Sequence, residues 1–185
     1  MGRNDSSISK SSLCWLHSLS HRKAETMIFV ILGTQKFQLN RLLKEVDELC
    51  GQGLINDEVF AQIGHSDYYP KNYKWVDFLD KLDFEYTISS CSLIITHSGV
   101  GSIISSQKSG VPVIVYPRLK KYKEHVDDHQ LEIAQAFEKK NFVLCCHDGM
   151  KLGPLIKKSK AHVFDRYESS TDEVIELVRG FIDGE

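Results

Sequence analysis

The sequence predicts an α/β fold, a Rossmann-like and mostly parallel sheet flanked by helices. Three observations point there. Short runs such as MIFVI, LIIT and PVIV are strand-sized and apolar throughout, as strands covered on both faces must be. An intervening stretch repeats Leu42, Leu43, Val46 and Leu49 at helical spacing. Several of the runs end in small or glycine-containing turns, and the strand–helix alternation that results marks crossovers packed on two faces of one sheet.

In chain order, residues 27–34 (MIFVILGT) predict a strand and turn, and 39–49 a helix that the GQG at 51–53 breaks. Residues 58–64 (EVFAQIG) predict a second strand and 73–79 (YKWVDFL) a short third one, with a helix near 81–90. LIITH (93–97), a helix over 101–109, PVIVYP (112–117), a helix around 127–139 and NFVLCC (141–146) continue the rhythm. Helices near 150–159 and 171–182 close it. Residues 1–26 are polar and aperiodic, and their LCWL is too short for a secretory core. They are expected to form a disordered extension ahead of one domain over 27–185. Met27 as the natural start, or a targeting or partner segment, are the other readings.

The chain has 185 residues, 42% of them hydrophobic, enough for one substantial core and marginal for two. A formal charge of −2 excludes a general basic surface for nucleic acid. No apolar run approaches the length of a membrane span. The five cysteines are scattered and describe neither a disulfide framework nor a metal knuckle. Cys145 and Cys146, being adjacent, would face opposite sides of a strand, so simple burial in a reducing compartment fits them best.

Two stretches carry chemistry. In IITHSGVGS (94–102), Gly99 and Gly101 allow a tight turn and a close approach of phosphate to backbone amides. Ser102 caps the next helix or donates to a ligand, and a plain strand–helix turn would also use these residues. His97 orients the loop when neutral, hydrogen-bonds a phosphate when protonated, or satisfies backbone groups at the strand end. In EHVDDHQ (124–130), Asp128 suits a helix cap, His129 and Gln130 face a ligand or stabilise the loop, and Glu124 and His125 add charge and hydrogen bonding. His125, Asp128 and His129 also suggest metal, but the segment reads as a loop and no metal is assigned. Between the two stretches, Arg118 either pairs with phosphate or anchors its loop to an acidic side chain. Lys120, Lys121 and Lys123 suit a solvated loop or contact with an anionic acceptor or membrane. Gly33 and Thr34, with Gln62, Gly64 and His65, end strands and line a cleft or pack a loop. Tyr68 and Tyr69 pack the 66–72 loop or stack on a substrate.

The segments MIFVILGTQKFQLNRLLKEVDEL, EVFAQIGHSDYYPKNYKWVDFL and LIITHSGVGSIISSQKSGVPVIVYPRLKKYKEHVDDHQLEIAQAF, spanning roughly 27–142, resemble the C-terminal domain of family 28 glycosyltransferases. They resemble most the small bacterial polysaccharide glycosyltransferases of the PssE, Cps14G and EpsF type. They are also similar to the catalytic subunit of the eukaryotic two-chain N-acetylglucosamine transferase. The resemblance implies the donor-binding half of a GT-B fold, with a UDP-sugar as donor and no cofactor beside it. It implies that Gly33, Thr34, His97, Ser98, Gly99, Gly101 and Ser102 bind that donor, joined by Arg118, Glu124, His125, Asp128, His129 and Gln130. Ser98 departs from the usual small Gly or Ala, and Ser105 stands where many relatives carry a ribose-binding Glu. No catalytic residue is assigned.

The implied reaction is inverting transfer of a hexose, galactose first, to a lipid-linked saccharide in exopolysaccharide or capsular polysaccharide synthesis. A membrane-anchored companion subunit would supply the acceptor half and hold this chain at the cytoplasmic face of the membrane. The alternative is a non-catalytic UDP-sugar-binding regulatory or adaptor subunit of a glycosyltransferase complex.

Overall fold

The computed structural model describes residues 26–166. Most of the expected extension, and the helix expected over 171–182, lie outside the described residues. The elements run β1 (Met27–Ile31), α1 (Asn40–Gly51), β2 (Glu58–Gln62), β3 (Lys74–Val76), α2 (Lys81–Ser90), β4 (Leu93–Thr96), α3 (Val100–Lys108), β5 (Val113–Val115), a 3₁₀ turn (Lys120–Tyr122), α4 (His129–Lys139), β6 (Leu144–Cys145) and α5 (Leu152–Ser159). The six strands form one sheet in the order β3-β2-β1-β4-β5-β6, and every pairing is parallel. The expected Rossmann-like sheet is therefore present.

The central strand explains why its run is wholly apolar. In β1, Ile28 and Val30 face a layer with Leu42, Leu43 and Val46 of α1 and Leu152 and Ile156 of α5. Met27, Phe29 and Ile31 face the other layer, with Ile88 of α2, Ile103 of α3 and Phe137 of α4. A strand covered on both faces leaves no position for a polar side chain. Phe29 also pairs in register with Phe60 and stacks on it at 5.8 Å.

The order of strands fixes where a ligand can sit. β2 and β3 lie on one side of β1, and β4 and its successors on the other. The connections after β1 and after β4 therefore diverge, leaving a crevice at the carboxyl ends of these two strands. The residues 33–34 and 97–102 sit at its lips.

Several boundaries differ from expectation, that of β3 among them, which spans three residues only. β6 is two residues long, because the α4 C-terminus and Asn141, at φ 56°, turn the chain before it can pair. α4 begins at His129 rather than 127, and α1 continues to Gly51 before its break. Among the described residues, no helix is long and apolar enough to cross a membrane.

The loop between β2 and β3 is held by one buried carboxylate. Asp47 accepts from the Tyr68 hydroxyl at 2.6 Å, from Asn72 N at 2.8 Å and from Lys71 N at 3.1 Å. Tyr69 meanwhile stacks on the buried Trp75 with ring centroids 5.1 Å apart. Both tyrosines pack the loop rather than reach into the cleft. Asp47→Ala strips several donors of their acceptor at once and is expected to cost about 2 kcal/mol in urea unfolding, while Tyr68→Phe costs less than half of that.

Candidate functional site

The crevice at the β1–β4 switch is a cleft of about 560 Å³. Its floor is the end of β4. Thr96 Oγ1 and His97 N both donate to Ile31 O, at 3.1 and 3.3 Å, and lock the end of β4 to β1. His97 then sits 93% buried between two glycines. A Cβ on Gly33 would lie 2.3 Å from His97 Nε2, and one on Gly99 2.1 Å from His97 Cε1. Gly33 also has φ +76°, which a side chain would resist. Both positions are glycine because an imidazole fills the space.

That imidazole is neutral. Gly99 N donates to His97 Nδ1 at 2.7 Å, so Nδ1 is the acceptor and the ring hydrogen is on Nε2. Nε2 lies 3.4 Å from Ser102 Oγ. Burial, reinforced by the charges of Arg118 and His125, drives the His97 pKa down to about 3. Of the roles the sequence allowed, the geometry shows loop orientation by a neutral ring.

Gly99 is the N-cap of α3 and offers no side-chain cap. The first helical bond of this segment runs from Ile103 N to Gly99 O, at 3.0 Å. The amides of Val100, Gly101 and Ser102 precede it and face out of the helix end, where the backbone dipoles favour an anion. Ser102 is thus the third residue of the helix and not its cap. Beside these amides, the Ser98 hydroxyl is fully buried, lines the cleft and has no hydrogen-bond partner.

The opposite wall is the start of α4, and its end is already filled by a carboxylate. Asp127 Oδ1 accepts from His129 N at 3.2 Å and lies 2.9 Å from His125 Nδ1. The capping expected of Asp128 thus falls to its neighbour. Asp128 turns away, and its Oδ1 accepts from Lys120 N at 2.8 Å. His129 Nδ1 lies 3.0 Å from Glu132 Oε2. This bond, and then the charge of Asp127, raise the His129 pKa. Gln130 is buried along the cleft and accepts from Arg118 N through Oε1, at 3.2 Å.

Of the expected site residues, Gly33, Thr34, His97, Ser98, Gly99, Gly101 and Ser102 meet His125, His129 and Gln130 around the cleft. Arg118, Glu124 and Asp128 do not line it. Arg118 is fully buried, with Nη2 donating to Leu32 O at 2.6 Å and Phe37 O at 3.1 Å and Nε to Gln38 O at 3.3 Å. It anchors a loop, as one expectation had it, but through carbonyls instead of an acidic partner. Glu124 is buried too, in a two-point contact with Arg41 at 2.9 and 3.1 Å. Ser105 is exposed on α3 away from the cleft, and Lys120, Lys121 and Lys123 are exposed outside it. His125, Asp128 and His129 do not converge as a metal set.

Sequence reasoning missed one wall. Leu79, Asp80, Lys81 and Phe84 line the cleft from the start of α2. The signal was there in DKLD at 80–83, since Asp80 accepts from Asp83 N at 2.9 Å as a cap with a D-x-x-D pattern. Asp127 was also passed over, because two adjacent aspartates give no sequence clue to which one turns inward.

The profile of the glycosyltransferase family 28 C-terminal domain matches residues 27–178. The Mus musculus UDP-N-acetylglucosamine transferase subunit ALG13 is 26% identical over 134 residues, which is 64% of this chain and 10% of that protein. The chain spans about a tenth of the length of the curated relatives it matches. Among solved structures, the glycosyltransferase of kitacinnamycin superposes with a TM-score of 0.57 at 20% identity, covering 86% of this chain and 39% of that one. The solution structure of ALG13 gives 0.56 at 19% identity, covering 83% and 94%. At these identities the superpositions establish a shared fold.

The two histidines should separate in a proton NMR titration. His129 is expected to titrate above the usual histidine value, and His97 to stay neutral down to about pH 3. A depressed histidine binds its proton more tightly in the unfolded chain. The contribution of His97 to stability is therefore present above about pH 6.5 and declines as pH falls toward 3. His129 has the opposite sign, its contribution fading as pH rises through its raised pKa. Titration of His97 near pH 6.5 would contradict the buried, neutral ring.

Proposed function

Because the chain belongs to the family of glycosyltransferase family 28 C-terminal domains, we propose that it is a UDP-sugar-binding subunit of a glycosyltransferase complex. The observation that carries this reading is the uncapped α3 N-terminus opening on the cleft at the strand-order switch. The amides of Val100, Gly101 and Ser102 would receive the donor's diphosphate, with the Ser98 hydroxyl beside them. His97 keeps the glycine loop in shape. Gly33 and Thr34 form one lip, while His125, His129 and Gln130 form the facing wall. The domain is taken as residues 27–185, with 1–26 as an extension.

The subunit reading is preferred because of what the cleft lacks. Its carboxylates among the described residues are Asp80 and Asp127, and each already serves a helix N-terminus. His97 is neutral, buried and bonded at Nδ1. The imidazoles of His125 and His129 are each paired with a carboxylate at Nδ1, and on this reading activation of an acceptor falls to a companion chain. The kinship with a protein named as a transferase subunit supports the same division.

A second reading is favoured by the same helix end, which would stabilise charge on a departing diphosphate. In it, the acceptor hydroxyl attacks the anomeric carbon, the bond to the diphosphate breaks, and a companion's base takes the proton, with inversion. Galactose is the first donor to try and a lipid-linked saccharide the acceptor. A membrane-anchored companion would then hold the chain at the cytoplasmic face.

Calorimetry of UDP-galactose and UDP-N-acetylglucosamine binding to the full chain tests the proposal. Ser98→Ala is expected to leave urea stability unchanged or slightly raised, since the hydroxyl has no partner to lose. The same change should weaken donor binding roughly tenfold, the value of about 1.4 kcal/mol for one good hydrogen bond. Absence of UDP-sugar binding by the folded chain sinks the reading. Transfer by the chain co-expressed with a companion, weakened in Ser98→Ala, would establish the second.

A further inference from the structure

At the β6 edge of the sheet, outside the cleft, three donor groups of different chemistry converge. Cys145 ends β6, and His147 follows two residues later, a spacing that turns both side chains to one face of an extended chain. Glu138 meets them from the last turn of α4. One Glu138 oxygen accepts from Cys145 N at 3.1 Å, and the other lies 2.7 Å from His147 Nε2. His147 Nδ1 lies 3.7 Å from Cys145 Sγ. A thiol sulfur, an imidazole nitrogen and a carboxylate oxygen thus stand within 4.8 Å of one another.

We propose that Glu138, Cys145 and His147 form a binding site for a thiophilic divalent metal ion, with zinc as its type. Zinc bonds of about 2.3 Å to sulfur and about 2.0 Å to nitrogen put those two ligands roughly 3.5 Å apart in a tetrahedron. The observed 3.7 Å between Cys145 Sγ and His147 Nδ1 is close to that edge. The carboxylate enters the set as third ligand by a side-chain rotation. Otherwise it stays on Nε2 and holds the ring for the metal, as outer carboxylates do for ligating histidines. Cys145 is buried, whereas the side chains of His147 and Glu138 are 37% and 34% exposed. Sulfur thus closes the inner side and leaves the outer one to water. One soft, one borderline and one hard donor favour zinc or cobalt over magnesium or calcium. On binding, the Cys145 thiol releases its proton to solvent and the metal takes the sulfur lone pair.

The fold places these three groups together by a mechanism independent of the cleft. Asn141 N bonds back to Glu138 O at 2.8 Å and Phe142 N to Phe137 O at 3.1 Å. This tight return brings the start of β6 directly under the helix that carries Glu138. The site therefore joins the last turn of α4 to the edge strand, and a bound ion would clamp the shortest strand of the sheet.

The test is titration of the full chain, reduced and freed of metal with a chelator, with Co²⁺ followed by Zn²⁺. One equivalent of cobalt is expected to give a sulfur-to-cobalt charge-transfer band that zinc then abolishes. His147→Ala and Glu138→Gln should each weaken apparent cobalt affinity at least about tenfold, and Cys145→Ser should remove the band. Cys50→Ser, at the half-buried thiol of α1, should change nothing. No charge-transfer band, a band retained in Cys145→Ser, or equal affinity in His147→Ala and Glu138→Gln would overturn the site. The last two variants alter partly exposed side chains, so the outcome does not depend on the buried cysteine variant folding.

Discussion

A single buried guanidinium joins the walls of the cleft. Arg118, fully enclosed after β5, donates to the carbonyls of Leu32, Phe37 and Gln38 in the loop that follows β1. Its own backbone N–H donates to Gln130 on α4. A cation taken out of water costs several kcal/mol unless its donors are met, and here three carbonyls meet most of them, with Nη1 left over. Burial pulls its pKa down to about 10, against an opposing pull from Glu124, so the group keeps its charge at neutral pH. The loop bearing Gly33 and Thr34 is thereby fixed against the segment bearing His125, His129 and Gln130. Glu124 is bound in turn by Arg41 of α1 and by Leu119 N. The cleft owes its shape to ionic groups that never face it.

The helix end depends on a different device. A neutral imidazole, packed between Gly33 and Gly99, takes the Gly99 N–H that would otherwise compete for the helix end. A charged ring would turn Nδ1 into a donor and break that bond. The depression of the His97 pKa and the form of the glycine loop are thus two sides of one arrangement: burial excludes the proton, and the unprotonated nitrogen orders the loop. The next three amides remain available because Gly99 brings no side chain to cap them.

The fold was legible because its cause is local and repetitive. Runs such as MIFVI need both faces covered, and a sheet with helices on each side is the arrangement that covers them. The alternation indicated a parallel sheet without giving its strand order, and the cleft fell at the ends of the strands as α/β topology requires. What the sequence left obscure were side-chain directions in the loop after β5. Arg118, Glu124 and Asp128 are polar residues in a glycine-free loop, and nothing in their spacing distinguishes a group facing a ligand from one folded inward. Asp127 and Asp128 differ only in which way the chain turns before His129, a matter settled by the distant amide of Lys120. Likewise, Glu138 meets Cys145 and His147 because α4 and β6 pack together, an outcome invisible in the pair of cysteines alone.

The division of charge between the walls bears on what one chain can do by itself. One helix end is open to an anion and the other is closed by Asp127. A diphosphate entering the cleft would meet amide dipoles on the α3 side and a carboxylate flanked by two imidazoles on the α4 side. On the proposed reading an anion would be held from the α3 side only, which would fix its orientation. On the proposed reading, the sugar would project away from α3 toward the open mouth, where this chain places no unengaged carboxylate among its described residues. The binding wall is then pre-organised for the leaving group and indifferent to the acceptor. That asymmetry is what a subunit built to be completed by another chain requires, because leaving-group stabilisation can be fixed in advance whereas acceptor activation has to arrive with the acceptor.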